Sequence, residues 1–492
     1  MASEIPMEVL ERPDIQALIL RAYGNLPHTR YYFLKIEDRD AFKTWLAGVI
    51  PQVTNADSPT EPGDGRCALN IAFTRFGLSR LGVTVAPKPH GYDGFGLEFR
   101  QGLVHRHRSR FLGDVDENDP RWWEWGGRTG AKSEGRIDCL CLLFGDKQKT
   151  PLDATWRDLA LPPAAASVVH VQCGYLSRDE GEHFGFRDGI SQPTIRFTKR
   201  DYETTAPRER ALHVVEAGEF ILGYENQNSR MPVSPGIVAN LDRCNRLMPL
   251  TRKSRWGITR QVSGLKDFGR NGTYLVLRQL RQYVGRFEEF VQTQGGSNPE
   301  LLGARIVGRW KSGAPLTVCP EFDRSAQNPG LRTENSFVYD ELDRYGYRCP
   351  VGAHIRRGNP RDATSVLDGE AQALKRVNFH RLIRRGRLYG DRAQGHETPR
   401  EKDAVDRGLM FLCLNADLRR QFEFVQQSWV NNDKFSGLIA EQDPLIGPGG
   451  TLTVQRPEGH QRVGGLQRFV TVKGGAYFFM PGIQALYCLA GR

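Results

Sequence analysis

Long apolar runs are missing from this sequence. No window approaches the roughly 18 to 20 consecutive apolar residues that a membrane-spanning helix needs, so no membrane partner is expected. Residues 1–16 carry acidic side chains early and lack the basic segment and the following apolar segment of a secretory signal. We therefore expect a cytoplasmic protein.

Cysteine is scarce, and its spacing shows no pairing pattern. The chain has nine cysteines among 492 residues, and none of them forms a CxxC pair. An odd count at this low density favours buried, reduced thiols in a cytoplasmic protein over a disulfide framework.

Acidic residues are fewer than basic residues, 57 against 68, which gives a formal net charge of +11. A nucleic-acid-binding protein of this charge would be expected to show a recognised module or basic residues interleaved with aromatic ones. The basic run at residues 106–110 (RHRSR) has neither feature, and a denser basic block at residues 376–387 is explained below. We expect no nucleic-acid partner.

Length and apolar spacing predict two α+β units. A chain of 492 residues is too long for one ordinary core, so two domains are expected. Residues 30–36 (RYYFLKI) have the composition of a strand, and the apolar positions of residues 42–49 follow at helical spacing. Residues 273–280 (TYLVLRQL) and 284–291 repeat the same strand-then-helix order in the second half.

Three further segments have strand character, and two regions have the character of loops. Residues 167–172 (SVVHVQ) and 218–224 (GEFILGY) predict strands, and residues 469–479 predict a closing hairpin with its turn at two adjacent glycines. Residues 225–263 are polar and contain glycine and proline, which predicts the junction between the halves. Residues 91–135 predict a long, elaborated loop region.

One histidine lies in a segment that a flat ligand could approach closely. His354 follows a proline turn among small residues, and Arg356, Arg357 and Arg361 come within the next seven positions. An axial iron ligand followed by cations for haem propionates would have this pattern. By itself, a lone histidine is more often a structural or surface residue.

A carboxylate lies in a glycine-rich segment, HFGFRDGISQP, at residues 183–193. The glycines and Pro193 predict a tight, irregular loop that holds Asp188 between Arg187 and Gly189. On spacing alone, an ordinary Asp-Gly turn is the stronger interpretation.

The basic block ends in a segment that alternates like a strand. Arginines between Arg381 and Arg387 are interleaved with Leu382 and Ile383, so one face would point inward. An inward arginine is costly unless it meets an anion or a developing charge. The alternative is a solvated basic edge strand.

Taken together, the three segments resemble the dye-decolorizing peroxidase family. GFRDG followed by ISQP resembles its GxxDG motif, CPVGAHIRRGNPR its proximal-histidine segment, and LIRRGRLYG its distal-arginine segment. The resemblance covers most of the chain from about Leu18 onward. The length and the QFEFVQ segment at residues 421–426 resemble the larger, extended members.

The resemblance implies an α+β fold of two ferredoxin-like domains, each an antiparallel sheet with packed helices. Residues 1–230 would form the N-terminal domain that carries the distal GFRDG loop. Residues 231–492 would form the C-terminal domain that holds the cofactor, haem b (iron protoporphyrin IX).

Site residues carry over by matching position in these motifs. The resemblance implies that Asp188 is the distal acid–base residue, Arg384 the distal arginine and His354 the proximal ligand of the haem iron. Asp417 falls where some members place a carboxylate that accepts a hydrogen bond from the proximal histidine, with Asn415 as the alternative.

Two details of the carried-over site stay open. Arg357 and Arg361 are the candidates for the haem propionates, together with Arg356. Compact members of the family often have Asn two residues after the distal arginine, whereas this chain has Gly386. With no amide there, Asp188 should matter more.

The implied activity is that of a haem-dependent peroxidase. Its partners would be hydrogen peroxide and a small-molecule reductant such as a dye, a phenol or a similar one-electron donor. A haem-binding carrier or sensor without turnover is the alternative, and the complete set of Asp188, Arg384 and His354 argues against it.

A carboxylate base predicts activity in acid. Aspartate side chains ordinarily have a pKa near 3.9, so they stay ionised at pH values where a histidine base is protonated. We expect peroxidase activity to persist at roughly pH 4 to 5, measured as the initial rate of phenol or dye oxidation against pH. Undiminished peroxide cleavage by Asp188→Asn would remove Asp188 from the role of base.

Overall fold

The computed structural model describes residues 9–59, 67–83, 94–128, 136–146, 151–177, 181–253, 259–363 and 369–492. The loop region predicted at residues 91–135 lies partly outside these ranges, and its described part contains two short helices and two 3-10 turns.

In chain order the strands are β1 (His28–Ile36), β2 (Ala68–Phe73), β3 (Cys139–Gly145), β4 (Ala166–Tyr175), β5 (Thr194–Ile195), β6 (Val214–Val215), β7 (Gly236–Val238), β8 (Pro249–Lys253), β9 (Thr259–Asp267), β10 (Thr273–Gln282), β11 (Ile383–Arg384), β12 (Arg387–Tyr389), β13 (Gly408–Asn415), β14 (Gly450–Arg456), β15 (Gly459–Leu466) and β16 (Val470–Met480).

The helices are α1 (Arg39–Val49), α2 (Arg75–Arg80), α3 (Leu97–Gln101), α4 (Arg106–Phe111), α5 (Leu152–Asp158), α6 (Lys199–Glu203), α7 (Pro207–His213), α8 (Val284–Gln294), α9 (Pro299–Val307), α10 (Tyr339–Asp343), α11 (His354–Gly358), α12 (Gly369–Asn378), α13 (Pro399–Ala404), α14 (Phe422–Phe424) and α15 (Ile483–Leu489).

Strands β1 to β4 form one antiparallel sheet. β1 pairs with both β3 and β4, and β3 pairs with β2, so the order is β2-β3-β1-β4. Helix α1 follows β1, and α5 lies between β3 and β4, which makes the β-α-β-β-α-β path of a ferredoxin-like unit. The strand, helix and later strand predicted at residues 30–36, 42–49 and 167–172 are confirmed.

The second half repeats this order. β10 pairs with β16 and β13, and β13 pairs in turn with the short strands β11 and β12. Helix α8 follows β10, and α14 lies between β13 and β16. The strand and helix predicted at residues 273–280 and 284–291 are confirmed, and so is the α+β class with two ferredoxin-like units.

The two sheets share hydrogen-bonded edges. Phe479 of β16 pairs with Phe73 of β2, and Leu388 of β12 pairs with Tyr175 of β4. These two contacts join the sheets into a closed ring of strands. A domain boundary between residues 230 and 231 stays a prediction.

Side-chain alternation along β1 divides the core into two clusters. Tyr31 and Phe33 belong to a buried cluster to which both sheets contribute, and Leu277 of β10 is a member of it. Tyr32 and Leu34 point to the opposite face of the sheet and belong to a cluster that includes residues of α1. One core therefore connects the two halves.

The strand predicted at residues 218–224 is wrong. Residues 217–219 form a 3-10 turn, and Phe220, Ile221 and Leu222 follow it fully buried. The amides of Phe220 and Ile221 donate to the carbonyl of Ala217, and Leu222 donates to Gly272, so the backbone is satisfied without a ladder. The apolar run reflected burial rather than strand geometry.

The hairpin predicted at residues 469–479 is also wrong. One strand, β16, runs through Gly474 and Gly475 and pairs with β10, with an irregularity in register beside Gln279 and Leu280. A Cβ atom on Gly474 would lie 2.4 Å from ring atoms of Trp125. The glycine therefore permits close approach of an indole, which is a common use of glycine inside a strand.

The cysteines agree only in part with expectation. All nine are free thiols in the structure, and six are buried, but Cys173 and Cys244 are exposed.

None of the helices in the described ranges is long and apolar enough to cross a membrane.

We expect the shared core to make the two halves unfold together. Phe33→Ala should lower the free energy of unfolding by about 3–5 kcal/mol, because it removes a fully buried ring. Val168→Ala, at a position that is 41% exposed on β4, is the control and should cost less than about 1 kcal/mol. Denaturant unfolding followed by hydrogen exchange in peptides of both halves measures this. Two separate transitions would contradict it.

Candidate active site

A cavity of about 940 Å³ brings together residues that are far apart in the sequence. His354, Asp188 and Arg384 all line it. Its walls take residues from both halves of the chain, including the distal loop before residue 231 and much of the second unit after it. The structure thus places the three principal candidates around one space of ligand size.

His354 is the first residue of helix α11 and is held by a buried carboxylate. Its Nδ1 donates to Oδ2 of Asp443 at 2.9 Å, and the side chain of Asp443 is fully buried. The other carboxylate oxygen of Asp443 accepts from the amides of Leu445 (2.9 Å) and Ile446 (3.0 Å). With Nδ1 engaged, Nε2 is the ring nitrogen that is free to bind a ligand.

Each group of this pair shifts the pKa of the other. Burial by itself would lower the pKa of His354, but the Asp443 carboxylate outweighs burial, and the pKa of His354 is raised. Burial would likewise raise the pKa of Asp443, yet His354 and the backbone donors hold that pKa below its ordinary value.

The predicted partnership of His354 with Asp417 is wrong. Asp417 accepts from the amide of Arg420 at 3.0 Å and lies 3.7 Å from its Nε, and 43% of its side chain is exposed. Asn415, the alternative, donates to the sulfur of Cys413. The true partner, Asp443, stands before a proline, and its contacts with the amides two and three residues later are those of an ordinary Asx turn, which gives no functional signal.

Asp188 projects from the irregular loop that the glycines predict. Gly189 has φ +81°, a left-handed conformation that a side chain would strain, and its amide donates to Oδ1 of Asp188 at 2.6 Å. The Arg187 amide donates to the carbonyl of Lys311 at 3.2 Å, which ties the loop to the second unit. The Asp188 side chain is 52% exposed and lines the cavity.

Arg384 approaches this carboxylate from a different part of the chain. Strand β11 places it opposite Cys413 of β13, and its Nη2 lies 3.4 Å from Oδ1 of Asp188. The amide of Arg384 donates to the side-chain oxygen of Gln192 at 3.1 Å. The loop that carries Asp188 and strand β11 are therefore hydrogen-bonded to each other through the backbone amide of Arg384 as well as through its side chain.

The neighbouring basic residues have structural roles. Arg385 donates to the carbonyls of Leu18 and Ile19, and Arg387 donates to that of Ala22. Both arginines are buried. Arg385 and Arg387 thus meet carbonyl dipoles of the N-terminal segment, whereas Arg384 lies beside the cavity.

The arginines that follow His354 also differ in role. Arg356 pairs with buried Asp343 at 3.0 Å, and Arg357 donates to a set of backbone carbonyls. Of the three, Arg361 lines the cavity. The structure therefore gives no support to Arg357 as a cavity residue, because Arg357 is not part of the cavity wall.

Two arginines that the sequence interpretation did not single out lie with Arg361 in the cavity wall. Arg309 and Arg361 both donate to the side-chain oxygen of Asn335, at 3.2 and 2.5 Å. Arg381 lines the same wall, and its Nη2 is buried with no hydrogen-bond partner among the described residues.

This group of arginines makes the cavity wall strongly cationic. Burial first, and then the charges of Arg361 and Arg384, lower the pKa of Arg381 to about 9. Burial and Arg361 lower the pKa of Arg309 to about 10. Buried like charges are costly, and anionic groups of a bound ligand would offset that cost.

In the described ranges, no three His, Cys, Asp or Glu side chains cluster as the ligands of a bare metal ion do. A single imidazole beside a large cavity would suit a haem iron, because the porphyrin itself supplies most of the ligands of the iron.

Comparisons with known proteins give one consistent result, although no family model matches the chain. The chain is 32% identical to the multifunctional dye peroxidase DyP2 of an Amycolatopsis species, over 97% of this chain and 95% of that protein. A fungal DyP-type peroxidase from Auricularia auricula-judae superposes with a TM-score of 0.75 at 26% identity, over 98% of this chain and 99% of the other. A dye-decolorizing peroxidase in complex with 2,6-dimethoxyphenol gives 0.73 at 26% identity, over 98% and 100%.

Exchanging each of the two aspartates for Asn should distinguish them. Asp443→Asn removes one acceptor oxygen from a buried group with three donors, so we expect a loss of about 1–3 kcal/mol in the free energy of unfolding. Asp417→Asn, at a partly exposed position, should lose less than about 1 kcal/mol. Urea titration of the two variants measures the difference. A larger loss for Asp417→Asn would contradict the assignment.

Proposed function

The chain belongs to the dye-decolorizing peroxidase family, and on that premise we propose that the cavity lined by His354, Asp188 and Arg384 is its active site. It is a peroxidase, an oxidoreductase that acts on hydrogen peroxide and oxidises dyes and phenols. The observation that carries the assignment of the site is the convergence of these three side chains, from three distant segments, on one cavity.

The cofactor we propose is haem b. His354 would hold the iron through Nε2, because Nδ1 is engaged by Asp443. Arg381, whose Nη2 is buried without a hydrogen-bond partner among the described residues, would receive a propionate, and Arg309 and Arg361 lie with it in the cavity wall. When bound, the haem supplies the redox-active iron through which electrons pass from the reductant to peroxide.

Asp188 has the position of an acid–base residue. Its half-exposed carboxylate can take a proton from hydrogen peroxide, directly or through one water, and return it to the departing oxygen. Gly386, two residues after Arg384, has no side chain that could supply an amide donor. Proton transfer would therefore depend on Asp188.

Arg384 has the position of an electrostatic stabiliser. A guanidinium is a cation with several N–H donors, so Arg384 can stabilise negative charge that develops on the departing oxygen. The 3.4 Å contact with Asp188 also holds the carboxylate and the cation side by side.

Asp443 supports the proximal side. By accepting from Nδ1, it fixes the orientation and the tautomer of His354 and makes Nε2 a stronger donor to a metal. The two backbone amides that bind Asp443 keep the carboxylate in place.

For the reducing partner, we propose phenols and dyes. One structural relative is described in complex with 2,6-dimethoxyphenol, and the cavity of about 940 Å³ has the size of a site for cofactor and small ligand together.

Free thiols at all nine cysteines support a reducing compartment, such as the cytoplasm, as the location of the protein.

A haem carrier or sensor without turnover is the second candidate. Binding alone would require His354 and the arginine wall, but not a carboxylate and a cation paired on a separate loop and strand. The contact between Asp188 and Arg384 therefore favours turnover.

Three variants of the haem-reconstituted protein test the proposal. His354→Ala should lose the haem absorbance band. Asp188→Asn should keep the band and lose about 10²- to 10⁴-fold in the rate of peroxide reduction, and Arg384→Leu about 10²- to 10³-fold. Measurements are the absorbance spectrum and stopped-flow rates with a phenol reductant.

Asp417→Asn is the matched carboxylate control and should retain the wild-type rate, because Asp417 faces Arg420. A wild-type protein that binds haem but does not turn over peroxide would favour the carrier. Unchanged turnover in Asp188→Asn would mean that a different group moves the proton.

A further inference from the structure

The distal carboxylate has little support of its own. The hydrogen bonds that the described residues give to the Asp188 side chain come from the amide of the next residue, Gly189, and from Arg384 at 3.4 Å. The side chain is 52% exposed. Its position must therefore be set by the backbone of the loop that carries it.

A second carboxylate, Glu182, binds the part of the loop before Asp188 and is itself a residue of the cavity wall. One of its oxygens accepts from the amide of Phe186 at 2.9 Å, and the other accepts from the amide of Phe184 at 2.9 Å. Its own backbone exchanges bonds with the same turn: Glu182 N donates to Phe186 O at 2.9 Å, and Gly185 N donates to Glu182 O at 2.8 Å. The turn at residues 182–186, which ends two residues before Asp188, is thus held by hydrogen bonds to the side chain of Glu182.

Glu182 also connects this turn to the main sheet. Gln282, the last residue of β10, donates its side-chain amide to the Glu182 carboxylate. The rings of Phe184 and Phe186 pack on Phe287 of α8, with centroids 4.7 and 6.0 Å apart. Strand, helix and loop therefore meet at Glu182.

Withdrawing the Glu182 carboxylate from water costs folding free energy. Burial raises the pKa of Glu182, although the amides of Phe184 and Phe186 and the side chain of Gln282 act in the opposite direction. A half-buried carboxylate is tolerated where donors surround it, and here three donors do so. An apolar residue would fill the space without this cost but could not close the turn.

We propose that Glu182 is a positioning residue for peroxide cleavage, which holds the loop so that Asp188 faces the cavity beside Arg384. The inference rests on the proposed function, because it assumes that Asp188 moves the proton. Glu182 acts through the backbone of the loop and does not touch the reacting atoms. Misplacing a catalytic group by about 1 Å can cost on the order of 10²-fold in rate.

The experiment compares Glu182→Gln, Asp188→Asn and the double variant in the haem-reconstituted enzyme. Gln replaces one acceptor oxygen with an amide donor, so one of the bonds to the turn is lost. We expect Glu182→Gln to lower the rate of peroxide reduction about 10- to 100-fold. Cyanide association, which also requires a distal base to take a proton and is followed by haem absorbance, should slow in the same proportion.

The double variant separates positioning from general stability. If Glu182 acts through Asp188, the double variant should be within about twofold of Asp188→Asn alone, because residues that act as a unit are not additive. Fully multiplied losses would mean that Glu182 acts by another route and would overturn the proposal.

Asp242→Asn is the matched control. Asp242 is a buried carboxylate that accepts from two backbone amides, those of Arg246 and Leu247, both at 2.9 Å, in a segment outside the cavity. It should lower the melting temperature and leave both rates unchanged. Amide exchange over residues 184–189 should quicken in Glu182→Gln and stay unchanged in Asp242→Asn.

The outcomes separate the two claims. Faster exchange with wild-type peroxide and cyanide rates in Glu182→Gln, while Asp188→Asn is slow, would overturn the positioning role and leave the proposed function standing. Wild-type rates in Asp188→Asn would overturn the proposed function and, with it, the route by which Glu182 was to act.

Discussion

The site depends on the pairing of strands β4 and β12, which we call the seam between the two sheets. Leu388 pairs with Tyr175 across this seam, and the His183 ring contacts the carbonyl of Tyr389 at 2.9 Å. Asp188 comes from the first half of the chain and Arg384 from the second. They meet because the two sheets are joined here. Arg387, the first residue of β12, also binds the N-terminal segment through its buried guanidinium. A pair that spans two folding units needs such a junction to keep its spacing.

Buried charge is distributed according to its use. Where a cation has only a structural role, as in Arg357 and Arg385, backbone carbonyls surround it and no net anion is required. In the cavity wall, burial and then the charge of Arg361 lower the pKa values of Arg309 and Arg381. An anionic ligand in the cavity wall could reduce that repulsion. Part of the positive charge of the chain therefore lies in the cavity wall, although most basic residues lie elsewhere.

Much of the fold could be predicted, because its signals are local. The strand and helix at each half's beginning follow from alternation and helical spacing, and these patterns reflect which faces are buried. Two predictions failed for a common reason. Residues 218–224 are apolar because they are buried in a turn, and Gly474 is a glycine because Trp125 lies against it. In both cases a tertiary contact produced a residue pattern that resembles a local signal.

The sequence by itself determined the chemical types of the site: an imidazole after a proline turn, a carboxylate in a glycine-rich loop and a guanidinium in a strand. It also determined the α+β class, since periodicity depends on each segment alone. Tertiary structure decided the partners. Asp443 rather than Asp417 binds His354, and Arg361 rather than Arg357 lines the cavity, because hydrogen bonding depends on distance in space, which separation along the chain does not encode.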